Sequence, residues 1–182
     1  LAGLEKLTGI PAMVGGAVAM NAGTRDGETF DHLVSLTLVD RDGEIVVHGR
    51  DDFAATYRDG GLRDAIVLHA TFELQPDDPK AIFERFSASL KKRNATQPVT
   101  CRSVGCVFRN PAGDAAGRLI EAAGCKGLRA GGVEVSGLHA NYFVNEGGGT
   151  AADFIALMDQ VRARVRGAFG VELAPEVKFW GF

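Results

Sequence analysis

Four short stretches of this sequence place chemically active side chains beside glycine or proline. They are Tyr57-Arg58-Asp59-Gly60, Gly105-Cys106-Val107-Phe108-Arg109-Asn110-Pro111, Leu138-His139-Ala140-Asn141 and Pro175-Glu176-Val177. The guanidinium of Arg58 could clamp a carboxylate, the thiol of Cys106 is a usable proton donor, and burial would favour a protonated carboxyl group at Glu176. Each signal alone is weak, because solvated arginines, surface glutamates and small buried cysteines are common.

The chain opens at Leu1 and runs directly into glycine-rich segments, as expected of a sequence whose upstream part is missing. These segments are Gly9-Ile10-Pro11-Ala12-Met13-Val14-Gly15-Gly16 and Met20-Asn21-Ala22-Gly23. Backbone without side chains can bring its N–H groups against a pyrophosphate or an aromatic ring system. Close packing between chain segments explains such glycines equally well.

Hydrophobic spacing predicts the elements that would carry the first half of these residues. A hairpin is predicted from Leu33 to Val39 and from Glu44 to His48 around Asp42-Gly43. The other predictions are a short helix from Asp51 to Tyr57, a buried strand from Ala65 to Leu74, and a helix after Asp78-Pro79 with Ile82, Phe83, Phe86 and Leu90 on one face.

The second half of the chain is predicted to alternate short helices and strands. The predicted elements are a helix from Ala115 to Ala123, strands at Val133–Val135 and Tyr142–Asn145, a long helix opened by Thr150 with Asp153 and closed by Gly170, and a last strand from Val171 to Trp180. Residues 96–113 show little periodicity. This mixed order of helices and strands predicts an α+β fold with a boundary near residues 94–100.

Composition excludes several classes of function. Hydrophobic residues make up 46% and charged residues 24% of 182, and the net charge is −3, so the sequence has no broad basic field for nucleic acid. The apolar run Ala12–Met20 is too short to cross a membrane. Three cysteines at spacings unsuited to a metal site indicate reduced thiols in a cytoplasm. The sequence contains no phosphate-loop, dinucleotide-fingerprint or zinc motif.

Taken together and in order, the motifs resemble those of the UDP-N-acetylenolpyruvoylglucosamine reductases. The matching stretches are Gly9–Gly23, Tyr57-Arg58, Gly105–Pro111, Ala116–Glu121, Lys126-Gly127, His139-Ala140-Asn141 and Pro175-Glu176-Val177. The resemblance covers essentially the whole chain, and the short connection between Phe72 and Ile82 is similar to the type II branch.

The resemblance implies that residues 1–95 form the second lobe of a two-lobed, vanillyl-alcohol-oxidase-like FAD-binding domain. Residues 96–182 would form a small α+β UDP-sugar-binding domain whose C-terminal strand returns towards the flavin. Nothing in the sequence matches the family's N-terminal flavin lobe, so this chain alone is expected to bind FAD weakly or not at all. The alternative is a truncated, non-catalytic fragment that binds the UDP-sugar.

The resemblance also implies a reaction. NADPH would reduce FAD, and the flavin would pass hydride to the enolpyruvyl ether of UDP-N-acetylglucosamine enolpyruvate, giving UDP-N-acetylmuramate for peptidoglycan in a cytoplasmic, monomeric enzyme. Arg58 and Glu176 would stabilise the developing charge, and Cys106, where the family commonly has serine, would donate the proton. A weaker alternative is a thiol enzyme with Cys106 as nucleophile and His139 as its base.

The ligand contacts that the resemblance implies fall into two groups. FAD would contact Ile10, Pro11, Val14, Gly15, Gly16, Asn21, Gly23 and Ile66. The substrate would be bound by Arg109, Asn110 and His139. Three departures from the family pattern are Ala12-Met13 in place of Gly-Ser, Arg109 in place of lysine and Gly60 in place of serine.

Overall fold

The computed structural model describes residues 1–181, which fall into two units, Leu1–Lys92 and the residues from Arg93 onward. The helices are α1 (Val14–Ala19), α2 (Pro79–Thr96), α3 (Ala116–Ala122) and α4 (Ala151–Phe169). The strands are β1 (Gly23–Thr24), β2 (Gly27–Glu28), β3 (Leu33–Val39), β4 (Ile45–Gly49), β5 (Ile66–Phe72), β6 (Ser103–Cys106), β7 (Arg129–Ala130), β8 (Val133–Val135) and β9 (Tyr142–Asn145). These helices and antiparallel sheets confirm the α+β class. No helix within residues 1–181 has both the length and the apolar character needed to cross a bilayer.

The first unit is built on an antiparallel sheet with the strand order β4-β3-β5. The predicted hairpin is confirmed, and Asp40 closes its turn by accepting hydrogen bonds from the backbone N–H groups of Asp42 and Glu44, both at 2.9 Å. One face of the sheet packs into a core of Val18, Phe30, Leu33, Leu36, Leu38, Phe53 and Leu62.

The predicted strand from Ala65 to Leu74 is present as β5, but the expectation that it is buried is wrong. Alternate side chains of a strand point to opposite faces, and only one face of this sheet meets the core. Ile66 is therefore 65% exposed and Leu68 53% exposed, while Val67 packs against the core.

The predicted helix from Asp51 to Tyr57 is wrong. A single 3₁₀ turn, Arg50–Asp52, forms instead, and the backbone is extended at Phe53, with φ −111° and ψ 126°. The extended backbone lets Phe53 enter the core, where its ring meets that of Phe30 edge-on at 6.1 Å. Burial of this ring outweighs the local helical signal.

Helix α2 confirms the helix predicted after Asp78-Pro79, with Asp78 accepting a hydrogen bond from the N–H of Ala81 at 3.1 Å. Its apolar side is only partly covered. Phe83 and Phe86 are exposed and stack on each other with ring centroids 6.2 Å apart.

The second unit contains an antiparallel sheet with the order β6-β9-β8-β7, against which α3 and α4 pack. The predicted helices and the strands β8 and β9 are confirmed. Thr150 accepts the N–H of Asp153 at 3.1 Å, and Gly170 ends α4 with φ 67°. Strand β6 lies in the stretch for which no element was predicted, since its register shifts between Ser103 and Cys106 and it has no regular alternation.

The last predicted strand, Val171 to Trp180, is wrong. Only one isolated bridge forms there, between Phe108 and Pro175. Two further backbone hydrogen bonds flank it, from Arg109 N–H to the Ala174 oxygen at 2.9 Å and from Glu176 N–H to the Val107 oxygen at 2.8 Å. Proline has no N–H to extend a ladder, so the pairing stays short.

Candidate functional site

Arg58 lies at the tip of a tight turn in the first unit. Thr56 and Asp59 close the turn with two backbone hydrogen bonds, of 2.8 and 3.1 Å. Arg58 itself has φ 60°, a left-handed conformation that costs a residue with a side chain about 1 kcal/mol. Its guanidinium donates to the Gly23 oxygen at 3.1 Å and lies 4.7 Å from the centre of the Tyr57 ring. The turn therefore holds a half-buried guanidinium in a defined orientation.

Asn21 ties this turn to the glycine-rich segment. Its buried side-chain amide donates to Glu28 at 2.7 Å and to the Thr56 oxygen at 3.2 Å, while its oxygen accepts the N–H of Phe30 at 3.1 Å. The three bonds lie within the first unit. They give the Asn21 side chain a structural role beneath the Arg58 turn.

The glycines of the first unit divide into packed and open positions. A Cβ atom at Gly60 would lie 2.2 Å from the Val18 oxygen, and one at Gly23 would lie 2.8 Å from the Gly27 oxygen. These two glycines permit close packing of chain segments. A Cβ at Gly16 would find none of the described residues within 4 Å. Gly16 is therefore open for approach by another molecule.

Several of the predicted flavin contacts are exposed. We call Pro11, Val14 and Gly16 the glycine surface; all three are exposed, and so is Ile66 on β5, whereas Ile10, Gly15 and Gly23 are half-buried. Helix α1 packs on β5, since a Cβ at Gly15 would lie 3.6 Å from Val67. The glycine surface thus lies on α1 and the segment before it.

Cys106 lies on β6 directly opposite Tyr142 on β9. The Tyr142 N–H donates to the His139 oxygen at 2.9 Å, and its carbonyl accepts from Ser136 at 2.8 Å, so its backbone groups are engaged away from Cys106. Opposed residues of this kind carry their side chains close together on one face of the sheet.

The buried Tyr142 side chain lies among polar side chains, which together with it we call the Tyr142 group. Its hydroxyl donates to Gln97 Oε1 at 2.9 Å. The pKa of Tyr142 is raised to about 12, chiefly by burial and then by the charge of Cys106, a hydrogen bond with Cys106 and the charge of Glu176, against the lowering effect of Arg93. Cys106, Glu176 and Arg93 therefore all lie near the phenol.

Glu176 reaches this group through the backbone of the C-terminal segment. Its N–H donates to the Val107 oxygen at 2.8 Å, next to Cys106 in the chain. Of the three predicted catalytic residues, Cys106 and Glu176 are thus neighbours in the second unit. Arg58 belongs to the first unit.

The predicted substrate residues Arg109 and Asn110 differ in how they are engaged. Asn110 accepts the N–H of Ala116 at 3.0 Å, at the start of α3. Nε of Arg109 is buried, and no residue within 1–181 accepts a hydrogen bond from it. Arg109 therefore keeps a donor for a ligand, whereas the amide of Asn110 supports the fold.

A cavity of about 410 Å³ opens in the second unit beside the Tyr142 group. Its lining includes Gln97, Cys101, Glu134, Ser136 and Leu138. The lining mixes polar side chains with apolar ones, as small-molecule sites do.

The environment of His139 favours its uncharged imidazole. Its Nδ1 accepts the N–H of Asn141 at 3.3 Å, and its ring packs on that of Tyr142 with centroids 4.8 Å apart. Burial lowers the pKa of His139 from 6.5, and the charge of Lys126 lowers it further. An uncharged imidazole can donate to a ligand through Nε2.

The lowered pKa of His139 predicts a loss of stability on mild acidification. Below pH 6.5 the unfolded chain takes up a proton that the folded protein resists. The free energy of unfolding should therefore keep its full value above pH 6.5 and decrease as the pH falls from 6.5 towards the pKa of His139 in the folded protein. Urea unfolding between pH 7.5 and 5 measures how the free energy of unfolding depends on pH. The His139→Gln variant should show a weaker dependence than wild type, whereas the control His69→Gln, at an exposed histidine, should keep the wild-type dependence. The same dependence in His139→Gln as in wild type would contradict the prediction.

Sequence reasoning missed Tyr142, Gln97, Arg93 and the amide of Asn141. Asn141 is buried and clamps Phe108, accepting its N–H at 2.9 Å and donating to its oxygen at 2.7 Å. The available signals were that Asn141 ends the His139-Ala140-Asn141 motif and that Tyr142 begins a predicted strand. The partner strand β6 was not predicted, so their pairing could not be inferred.

Two family models match the chain in sequence order. The model described as FAD binding domain matches residues 1–49. The model described as UDP-N-acetylenolpyruvoylglucosamine reductase, C-terminal domain, matches residues 97–180.

Relatives carrying the name UDP-N-acetylenolpyruvoylglucosamine reductase match over the whole chain. The protein from Alkalilimnicola ehrlichii is 48% identical over 182 residues, which are 100% of this chain and 61% of that protein. The one from Moorella thermoacetica is 46% identical over 182 residues, which are 100% of this chain and 60% of that protein. The chain thus spans about 60% of the length of these curated relatives.

The crystal structure of the UDP-N-acetylenolpyruvylglucosamine reductase from Thermus caldophilus is similar in fold. The TM-score is 0.87 at 38% sequence identity, over 98% of this chain and 64% of that one.

Proposed function

We propose that this chain supplies part of the active site of a UDP-N-acetylenolpyruvoylglucosamine reductase, because relatives of that name match its whole length and the family's C-terminal domain model matches residues 97–180. The enzyme would reduce the enolpyruvyl ether of UDP-N-acetylglucosamine enolpyruvate to UDP-N-acetylmuramate, a precursor of peptidoglycan. The observation that carries the proposal is that two segments matching the family's motifs meet, since the Glu176 N–H donates to the oxygen of Val107, the residue after Cys106.

The glycine surface supports FAD as the cofactor. A flat ring system needs an exposed apolar area with few side chains, and Pro11, Val14 and Gly16 are exposed within six residues of the chain. Exposed Ile66 on β5 would add a further apolar contact. FAD, reduced by NADPH, would supply the hydride. Ile10, Pro11, Gly15, Asn21 and Gly23 would contribute to the same site through backbone groups and packing.

Arg58 would act on the negative charge that hydride addition creates. Hydride transfer to the β-carbon leaves charge on the α-carbon and the carboxylate, and a fixed guanidinium stabilises such an enolate-like species. The strained turn and the Tyr57 ring hold the Arg58 guanidinium in place before substrate binds. Substrate binding therefore costs little conformational entropy at this side chain. Glu176 would assist in its protonated form, since an ionised carboxylate would repel the developing charge.

Cys106 would complete the reduction by giving its proton to the α-carbon. The sulfur keeps the electron pair of the S–H bond and becomes a thiolate, which is reprotonated before the next turnover. Thiols ionise far more readily than serine hydroxyls, so this donation is chemically easy.

Arg109, Asn110 and His139 would bind the UDP-sugar. The Nε donor of Arg109 is buried, and none of the described residues accepts from it, which fits an anionic group such as a diphosphate oxygen. The neutral His139 adds a donor, and the 410 Å³ cavity offers room for part of the nucleotide-sugar. We further propose that the enzyme is cytoplasmic, which its three free thiols support, and that it is monomeric when full length.

An anaerobic assay of the flavin-loaded protein that contains this chain tests the proposal. NADPH should be consumed only when the enolpyruvyl UDP-sugar is present, in a ratio of one to one. The Arg58→Met variant should still let NADPH reduce the flavin but transfer hydride to substrate slowly. Equal NADPH consumption with and without the UDP-sugar would refute the proposed coupling and favour the non-catalytic UDP-sugar-binding alternative.

A further inference from the structure

The Tyr142 hydroxyl has a defined direction. It donates to Gln97 Oε1 at 2.9 Å, and an amide oxygen can only accept, so the phenolic proton points towards Gln97. Tyr142 is 6% exposed, so water competes little for this hydroxyl.

Cys106 lies beside this hydroxyl. The two residues are directly opposed on β6 and β9, and a hydrogen bond links their side chains. This bond raises the pKa of Tyr142, which is the effect of a hydrogen bond that the phenol donates to sulfur. The Gln97 oxygen and the Cys106 sulfur are therefore two competing acceptors for the phenolic proton.

The charged and titratable groups around this hydroxyl come from three elements. Glu176 on the C-terminal segment and Arg93 on α2 act on the phenol with opposite signs. His139 packs on the ring, and burial keeps its pKa low, so it is neutral near pH 7. With a pKa of about 12, Tyr142 is a much weaker acid than an ordinary thiol, so the proton that leaves this group belongs to Cys106.

We propose that Tyr142 is a positioning residue for Cys106, orienting the thiol before proton transfer and stabilising the thiolate that the transfer leaves. This inference rests on the proposed function, in which Cys106 is the proton donor. In the step, the S–H bond breaks and a C–H bond forms at the substrate α-carbon, while the electron pair stays on sulfur. The Tyr142 hydroxyl then turns from Gln97 and donates to the thiolate.

Two variants are expected to move the Cys106 titration in opposite directions. Tyr142→Phe removes the hydrogen bond to the thiolate and should raise the midpoint by about one pH unit or more, as expected for a hydrogen bond to a charged group. Gln97→Leu removes the competing acceptor, so the hydroxyl is freed for sulfur and the midpoint should fall. A residue that only supports packing would not produce shifts of opposite sign.

The measurement is the pH dependence of alkylation at Cys106 in the flavin-loaded protein, followed by peptide mass spectrometry. Exposed Cys101 is replaced by serine in every protein compared, and Cys125 is buried. Tyr57→Phe is the matched control and should leave the midpoint unchanged. Flavin reoxidation by the enolpyruvyl UDP-sugar should slow about 10-fold in Tyr142→Phe, consistent with the lost hydrogen bond.

Unchanged midpoints, or shifts of the same sign in both variants, would overturn the proposal. The proposed function fails separately, if the wild-type protein does not reoxidise its flavin with the enolpyruvyl UDP-sugar. The alkylation titration reads the Tyr142–Cys106 coupling without any substrate, so the two failures can be told apart.

Discussion

Replacing Cys106 with alanine is expected to block the second half of the reaction and leave the first half intact. Reduction of the flavin by NADPH does not involve this side chain. Reoxidation by the enolpyruvyl UDP-sugar needs a proton at the α-carbon and should slow by roughly 10²- to 10⁴-fold, the contribution of a positioned acid. Stopped-flow absorbance of the flavin measures the two half-reactions separately.

A matched variant sharpens this prediction. Cys106→Ser keeps a proton donor and should stay active. If Cys106 only fills space, alanine should cost about 1 kcal/mol of stability and no rate. An alanine variant that reoxidises at the wild-type rate would remove Cys106 from the mechanism.

Replacing Asn141 with alanine is expected to destabilise the protein by about 2–5 kcal/mol. The substitution leaves the N–H and the oxygen of buried Phe108 without the partners they now have at 2.9 and 2.7 Å. Each buried polar group left unsatisfied costs about 1–3 kcal/mol. A loss of this size is a large fraction of the stability of an ordinary domain.

Urea unfolding followed by circular dichroism measures the loss. Asn94→Ala, at an exposed asparagine, is the control and should change the free energy of unfolding by less than about 0.5 kcal/mol. A loss of less than about 1 kcal/mol in Asn141→Ala would show that the backbone groups of Phe108 find other partners. The two hydrogen bonds from Asn141 would then contribute little to the stability of the fold.

The elements that sequence predicted correctly are those specified by local interactions. The hairpin of β3 and β4 has its Asp-Gly turn, and α4 has Thr150 and Asp153 at one end and Gly170 at the other. The two failed elements have different causes, one distant in the chain and one local. Phe53 is extended because the core accepts its ring, and the segment after Val171 pairs only briefly because Pro175 has no N–H to offer.

The candidate site shows the same division. Order and spacing of motifs singled out Arg58, Cys106 and Glu176, since these residues lie inside recognisable segments. Tyr142 and Asn141 take part only because β6 lies beside β9, a pairing between residues 36 positions apart, from Cys106 to Tyr142. Irregular β6 carries no alternation from which that pairing could be predicted.

The left-handed backbone at Arg58 has a consequence for protein engineering. At φ 60°, glycine would relax the turn, so a redesign that optimises folding free energy alone would replace the arginine. The relaxed protein would lose the guanidinium that the turn presents. Under the proposed role of Arg58, thermostabilisation and catalysis make opposite demands on residue 58, and directed evolution for heat resistance should be run with selection for activity at the same time.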